Sequence, residues 1–119
     1  MDGFVLWLTG LPASGKTTVA KLLVKQLKTL GVKVELLDSD ELRKILTPKP
    51  RYTEEERAWF YGVLGWLAWL LSKNGINVVI AATANRKAYR EKVRGSVKKF
   101  AEIYLKCPLE ICMRRDRKG

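Results

Sequence analysis

The sequence contains no histidine and only two cysteines among its 119 residues. The first absence excludes Ser-His triads, His-ligated zinc and imidazole acid–base chemistry, so any catalysis falls to carboxylates, Lys, Arg or an oxygen-bound metal. The second is nearly as restrictive. Cys107 and Cys112 stand at a spacing that fits neither a CxxC redox pair nor a zinc knuckle, and they read as reduced thiols of a cytoplasmic protein. Long hydrophobic runs are missing too: the nearly apolar stretch from Ala58 to Leu71 spans 14 residues, below bilayer thickness and suited to a core helix. With Asp2 directly after Met1 and only a short apolar run from Phe4 to Leu8, no secretory leader is expected. Neither a repeat nor a low-complexity linker divides the chain, so residues 1–119 read as one domain.

Acidic residues are the scarce charge. There are 12 of them against 23 Lys and Arg, a formal charge of +11. That excess predicts anionic ligands, whether nucleotides, sulfate or phosphate esters, or nucleic acid. It is uneven, because residues 86–119 hold 12 basic and 4 acidic side chains against 11 and 8 in residues 1–85. Arg86, Lys87, Arg90, Arg94 and Lys98 recur every three to four positions, a stripe read as a solvated helix face in preference to a phosphate-tracking surface.

Strand-like and helix-like segments alternate. Phe4 to Thr9 reads as a strand buried on both faces, and a helix over 17–30 follows with Val19, Ala20, Leu22, Leu23, Leu27 and Leu30 at helical spacing before Gly31. A second strand covers 32–37, and a short helix from Glu41 to Leu46 ends before Pro48 and Pro50. Thr53 with Glu56 has the capping-box form and opens a long helix to Asn74-Gly75. In that helix positions 59, 62, 63, 66, 69, 70 and 73 trace a face expected to pack on the sheet, so its aromatics, Trp59, Phe60, Tyr61, Trp66 and Trp69, read chiefly as core, with Tyr61 or Trp59 near the mouth of a site. A third strand over 76–82, a basic helix over 87–99, a fourth strand over 101–106 and a helix from Pro108 complete the pattern. This rhythm specifies an α/β fold of three layers, with a parallel sheet of about four strands between helices.

One motif dominates. Gly10-Leu11-Pro12-Ala13-Ser14-Gly15-Lys16-Thr17 is a full GxxxxGK[ST] match between a predicted strand and a predicted helix, with Thr18 following. Gly10 and Gly15 let backbone N–H groups converge on phosphate oxygens, Lys16 reaches the β- and γ-phosphates, and Thr17 offers a hydroxyl to Mg²⁺. The motif predicts a P-loop that binds a nucleoside triphosphate with Mg²⁺. Asp38 and Asp40 fall at the carboxyl end of the second strand, on the side where parallel sheets bind ligands. There they are suited to hold hydrated Mg²⁺ and to accept a proton from an attacking hydroxyl. The competing reading is that one of them caps the next helix. Arg43, a turn after Asp40, presents a guanidinium for an anion.

GLPASGKTT, LLDSDELRK, RYTEEER and PLEICMRRDRKG, in this order and spacing, resemble the adenylylsulfate kinases, P-loop kinases with a nucleoside-monophosphate-kinase-like fold. The resemblance covers nearly the whole chain. It implies transfer of a phosphoryl group from MgATP to the 3′-hydroxyl of adenosine 5′-phosphosulfate. By the same resemblance Lys16, Asp40 and Asp38 are catalytic, and Thr17 and Asp40 hold the metal. Residues 10–18 with Arg115 bind ATP, Arg115 lying by the adenine. Asp40, Arg43, Tyr52 (stacked on the acceptor adenine), Arg57 and the lid residue Lys118 bind the acceptor. Family members are often dimers, and the resemblance extends that expectation here. They usually continue past Lys118-Gly119 through the rest of a lid, a helix and a fifth strand. The chain is therefore expected to stop inside its lid, with the fourth strand left as an exposed edge and adenine binding incomplete.

The chain also departs from the family pattern. Where DRxxNxRR is usual, Phe60 replaces the Asn and Gly62 an Arg, and where Ser-Pro-Tyr-Arg is usual, Ala84 replaces the Ser. Each change removes a hydrogen-bonding group from the acceptor pocket. Two other readings stay open on the residues: a related kinase for a sugar, metabolite or nucleic-acid hydroxyl, and a non-catalytic nucleotide-dependent module that binds nucleic acid.

Overall fold

The computed structural model describes residues 2–10, 15–83 and 87–105. Its elements are β1 (Phe4–Thr9), α1 (Lys16–Thr29), β2 (Val34–Asp38), α2 (Ser39–Leu46), α3 (Glu54–Lys73), β3 (Asn77–Ala81), α4 (Lys87–Ser96) and β4 (Lys99–Tyr104). All strand pairs are parallel, in the order β2-β3-β1-β4. The expected three-layer α/β fold is the one observed.

Alternation along the strands explains the layers. Val5 and Trp7 of β1 and Val78 and Ile80 of β3 point to one face, where they meet Phe60, Tyr61, Leu64 and Ala68 of α3 and Val93 of α4. Leu8, Val79 and Ala81 point to the other, against Ala20 and Val24 of α1. A strand covered on both sides needs apolar residues at every position, which is why β1 and β3 read as continuous apolar runs. The buried indole of Trp7 donates Nε1–H to the Ala82 carbonyl at 3.1 Å, so its one polar atom is satisfied.

Element ends shifted for local reasons. Gly31, at φ +83°, follows the Leu30 cap of α1, a left-handed position of the kind glycine takes after a helix. Helix α2 starts at Ser39 because Asp38 caps it. Strand β4 starts at Lys99, ahead of Ala101, since β1 offers Phe4 as a partner. Thr53 Oγ1 accepts from Glu56 N–H at 3.1 Å, but the Glu56 carboxylate reaches past Thr53 to accept from Arg51 N–H at 2.8 Å. The capping box is thus half formed. The helix predicted from Pro108 lies outside the described residues, as do Cys107 and Cys112.

Two predicted faces are corrected. On α3 the buried positions are Phe60, Tyr61, Leu64, Ala68 and Ser72, while Trp59 and Trp66 are about half exposed at 52% and 55%. The helix is apolar nearly all round, so periodicity alone does not select a face; a neighbouring helix does. Gly65 lies against Val93 of α4 so closely that a methyl group there would stand 2.9 Å from Val93 Cγ2. On α1, Val19, Leu22 and Leu30 are exposed, and Ala20 with Val24 makes the buried contact. Within the basic stripe, Arg90 and Arg94 both pair with Glu102 of β4, and Arg94 lies over Phe100. Lys87, Arg94 and Lys98 are exposed, as a solvated face expects, Arg90 is half-buried, and Arg86 lies outside the described residues. Strand β4 is an edge strand of the described sheet.

Gly3, just before β1, shows a requirement for close approach. A Cβ at this position would drive into the backbone carbonyl of Ile76, and Gly3 N–H already donates to Ser72 O at 2.7 Å. Backbone has little room to retreat. Gly3→Ala is expected to destabilise the fold by about 1–3 kcal/mol, read as a lower midpoint in urea unfolding with an unchanged slope.

Candidate functional site

The carboxyl edge of the sheet is the place to look. Leu8 of β1 and Asp38 of β2 both register against Ala81 of β3, so the loop after β1 and the acidic end of β2 leave the sheet level with each other. One strand separates them, which sets β1 and β2 roughly 10 Å apart at the usual strand spacing. A crevice of that width at a crossover point is where α/β sheets hold ligands. Thr9 Oγ1 donates to Thr83 O at 2.8 Å and Leu105 N–H donates to Thr9 O at 2.8 Å, tying three strand ends together beneath it.

The first wall is the loop into α1. Gly10 has φ +152° and Gly15 φ +92°, both in the region that glycine enters without steric penalty. Gly15 is the N-cap of α1, with no side-chain cap, and the first turn holds no acidic residue. The N–H groups and the positive end of the helix dipole are therefore turned toward the crevice without an internal anion, which is what a phosphate needs. Lys16 opens the helix, and its ammonium donates to Gly10 O at 3.3 Å, which folds the side chain back toward the end of β1. Thr17 is half-buried and Thr18 exposed. Leu11, Pro12, Ala13 and Ser14 lie outside the described residues.

The second wall separates the two aspartates. Asp38 is buried at 7% exposure, and its Oδ1 accepts from Asp40 N–H at 3.0 Å as the N-cap of α2. Asp40, in the first turn of α2, is exposed. The capping alternative therefore holds for Asp38, and Asp40 is the carboxylate presented to solvent. Together with the Thr17 hydroxyl these are oxygen donors, a set that fits Mg²⁺, which keeps several waters and uses one or two carboxylates. No group of three or more His, Cys, Asp or Glu side chains able to hold a metal occurs among the described residues.

The third part is the corner between α2 and α3. Arg43, half-buried on α2, lies with its guanidinium carbon 4.2 Å from the centroid of the fully buried Phe60 ring. Arg57, also half-buried, precedes Phe60 by one turn of α3. Tyr52 is 67% exposed and has φ +59°, a backbone state uncommon for a bulky residue. It stands between Arg51 and Thr53, which with Lys49, Glu56 and Trp59 line a cavity of about 510 Å³. Trp59 is thus near this corner, while Tyr61 is core, stacked on Tyr89 at 4.6 Å. Sequence reasoning did not find the Arg43–Phe60 contact, because it joins two helices whose relative position no local pattern encodes. Ala84, Arg115 and Lys118 lie outside the described residues. No helix among the described residues is long and apolar enough to cross a membrane.

Comparison with known proteins bears on this arrangement. The family model described as adenylylsulphate kinase matches residues 2–119. A probable adenylyl-sulfate kinase of Archaeoglobus fulgidus is 44% identical over 116 residues, covering 98% of this chain and 75% of its own. One from Pyrococcus abyssi is 40% identical over 119 residues, covering 100% and 68%. Among solved structures, the APS kinase of Mycobacterium tuberculosis in complex with AMPPNP and APS superposes with a TM-score of 0.89 at 33% identity, over 99% of this chain and 70% of that one.

Proposed function

The chain belongs to the adenylylsulphate kinase family, and from that premise we propose that it transfers the γ-phosphoryl group of ATP to the 3′-hydroxyl of adenosine 5′-phosphosulfate. The observation that carries the reading is the shared level of the glycine loop and the Asp38–Asp40 turn, one strand apart on the carboxyl edge. Donor phosphates and acceptor hydroxyl have to meet in one crevice for in-line transfer, and positioning with charge stabilisation accounts for most of the catalysis in such reactions.

In this reading the N–H groups at Gly15 and the start of α1 bind the phosphates, and Lys16 neutralises the charge that develops on the transferred group. The Thr17 hydroxyl and Asp40 would hold Mg²⁺, which would supply neutralisation of the phosphate charge. Asp40, exposed at the helix start, orients the acceptor hydroxyl and takes its proton. Asp38 fixes the turn that presents Asp40. Arg43 and Arg57 bind the anionic end of the acceptor, and Tyr52 stacks on its adenine. Arg115 beside the ATP adenine and Lys118 in the lid belong to the same proposal, and a homodimer is its expected assembly.

The test is incubation with γ-labelled ATP, Mg²⁺ and adenosine 5′-phosphosulfate. Labelled 3′-phosphoadenylylsulfate is expected. A folded chain that yields none, but labels another hydroxyl compound from an acceptor panel, would move the assignment to a different acceptor.

A further inference from the structure

Arg43 is held in an unusual way for a cation beside a crevice. No carboxylate lies within salt-bridge range of its guanidinium among the described residues, and none of its side-chain N–H groups donates to another described residue. Its contact is the face of Phe60, 4.2 Å away. A guanidinium that lies over a ring and donates no N–H to a described residue keeps its N–H fork for an oxyanion, which it can pair in two parallel hydrogen bonds.

The ring itself is firmly placed. Phe60 has no solvent exposure, meets Tyr61 edge-on at 5.3 Å, and belongs to the cluster containing Trp7, Leu64 and Ile80. Leu42 and Leu46 of α2 pack against the same cluster, so the helix carrying Arg43 and the ring beneath it are fixed by one core. An arginine ordered in advance loses less rotamer freedom when it binds.

We propose that Phe60 is a positioning residue for the acceptor: it aims Arg43 through a cation–π contact and thereby sets affinity for the acceptor's anionic group. This rests on the kinase reading above and deepens its acceptor half. In place of a polar side chain that would touch the acceptor itself, the chain uses a buried ring that acts through the arginine beside it.

The experiment replaces Phe60 with phenylalanines bearing one, two and three ring fluorines, which drain the quadrupole with little change of shape, and compares Phe60→Leu. Acceptor KM, ATP KM, kcat, thermal midpoint and equilibrium binding of adenosine 5′-phosphosulfate to the MgADP complex are measured for each. Acceptor KM and dissociation constant are expected to climb with fluorine number, reaching about three- to tenfold at full loss of the contact, with kcat and ATP KM within twofold and the midpoint unmoved across the fluorine series. An Arg43→Gln background should abolish the gradient. A flat fluorine series in a wild-type chain that binds and phosphorylates the acceptor overturns the positioning role and leaves the kinase reading standing. A wild-type chain that neither binds nor phosphorylates it removes both. Should Phe60→Leu fail to fold, the fluorine series decides alone.

Discussion

Lys16→Ala is expected to lower kcat/KM for ATP by about 10²–10³-fold, the scale for removing one preorganised donor from a developing charge, while changing stability by no more than about 1 kcal/mol. Two small terms of opposite sign set the second figure. Lys16 is the first residue of α1, where the helix dipole is positive, so a cation there disfavours the helix by about 0.3–1 kcal/mol. Its ammonium also donates to Gly10 O at 3.3 Å, and losing such a bond costs about 0.5–1.5 kcal/mol. Steady-state kinetics with a urea titration on the same sample checks both. A variant that lost activity because it unfolded would show a far lower midpoint, and one that kept activity within fivefold would remove Lys16 from the phosphate site.

The aspartate pair gives the second large effect, and the structure divides it. Asp40→Asn is expected to reduce kcat by about 10²–10³-fold, within the usual range for loss of a positioned base, with little change in stability because the residue is exposed. Asp38 behaves differently: its Oδ1 caps α2 through Asp40 N–H, and asparagine caps nearly as well. Asp38→Asn should therefore stay within a few tenths of a kcal/mol in stability, whereas Asp38→Ala should cost about 1 kcal/mol. Rates and unfolding midpoints across the three variants separate the roles. Full activity in Asp40→Asn together with collapse in Asp38→Asn would transfer the base to Asp38.

Much of this was legible in the sequence because local chemistry specified it. The glycines at 10 and 15 adopt the positive φ that their motif implies, the Thr53 cap forms, and continuous apolar runs became strands covered on both faces. What sequence could not supply was the choice among apolar faces. On α3, Trp59 and Trp66 offered more apolar area than Ala68 or Ser72, yet the smaller residues are buried, because the close approach of α4 at Gly65 fixes the rotation of the helix. The same limit hid Phe60. Read alone, it is the loss of a polar group; only the packing of α2 on α3 turns it into the surface on which Arg43 rests.

The strand order has a consequence for how the chain comes to be folded at all. Val5 of β1 pairs with Val78 on one side and Phe100 on the other, so β1 waits for two strands that both lie far along the chain from it. Until they pair with it, Phe-Val-Leu-Trp-Leu has two open hydrogen-bonding edges, even where α1 and α3 already cover its faces. Such long-range pairing slows folding and prolongs exposure of a sticky segment. A holdase chaperone engaging the unfinished fold would find its target in β1, the strand that later supports the phosphate loop.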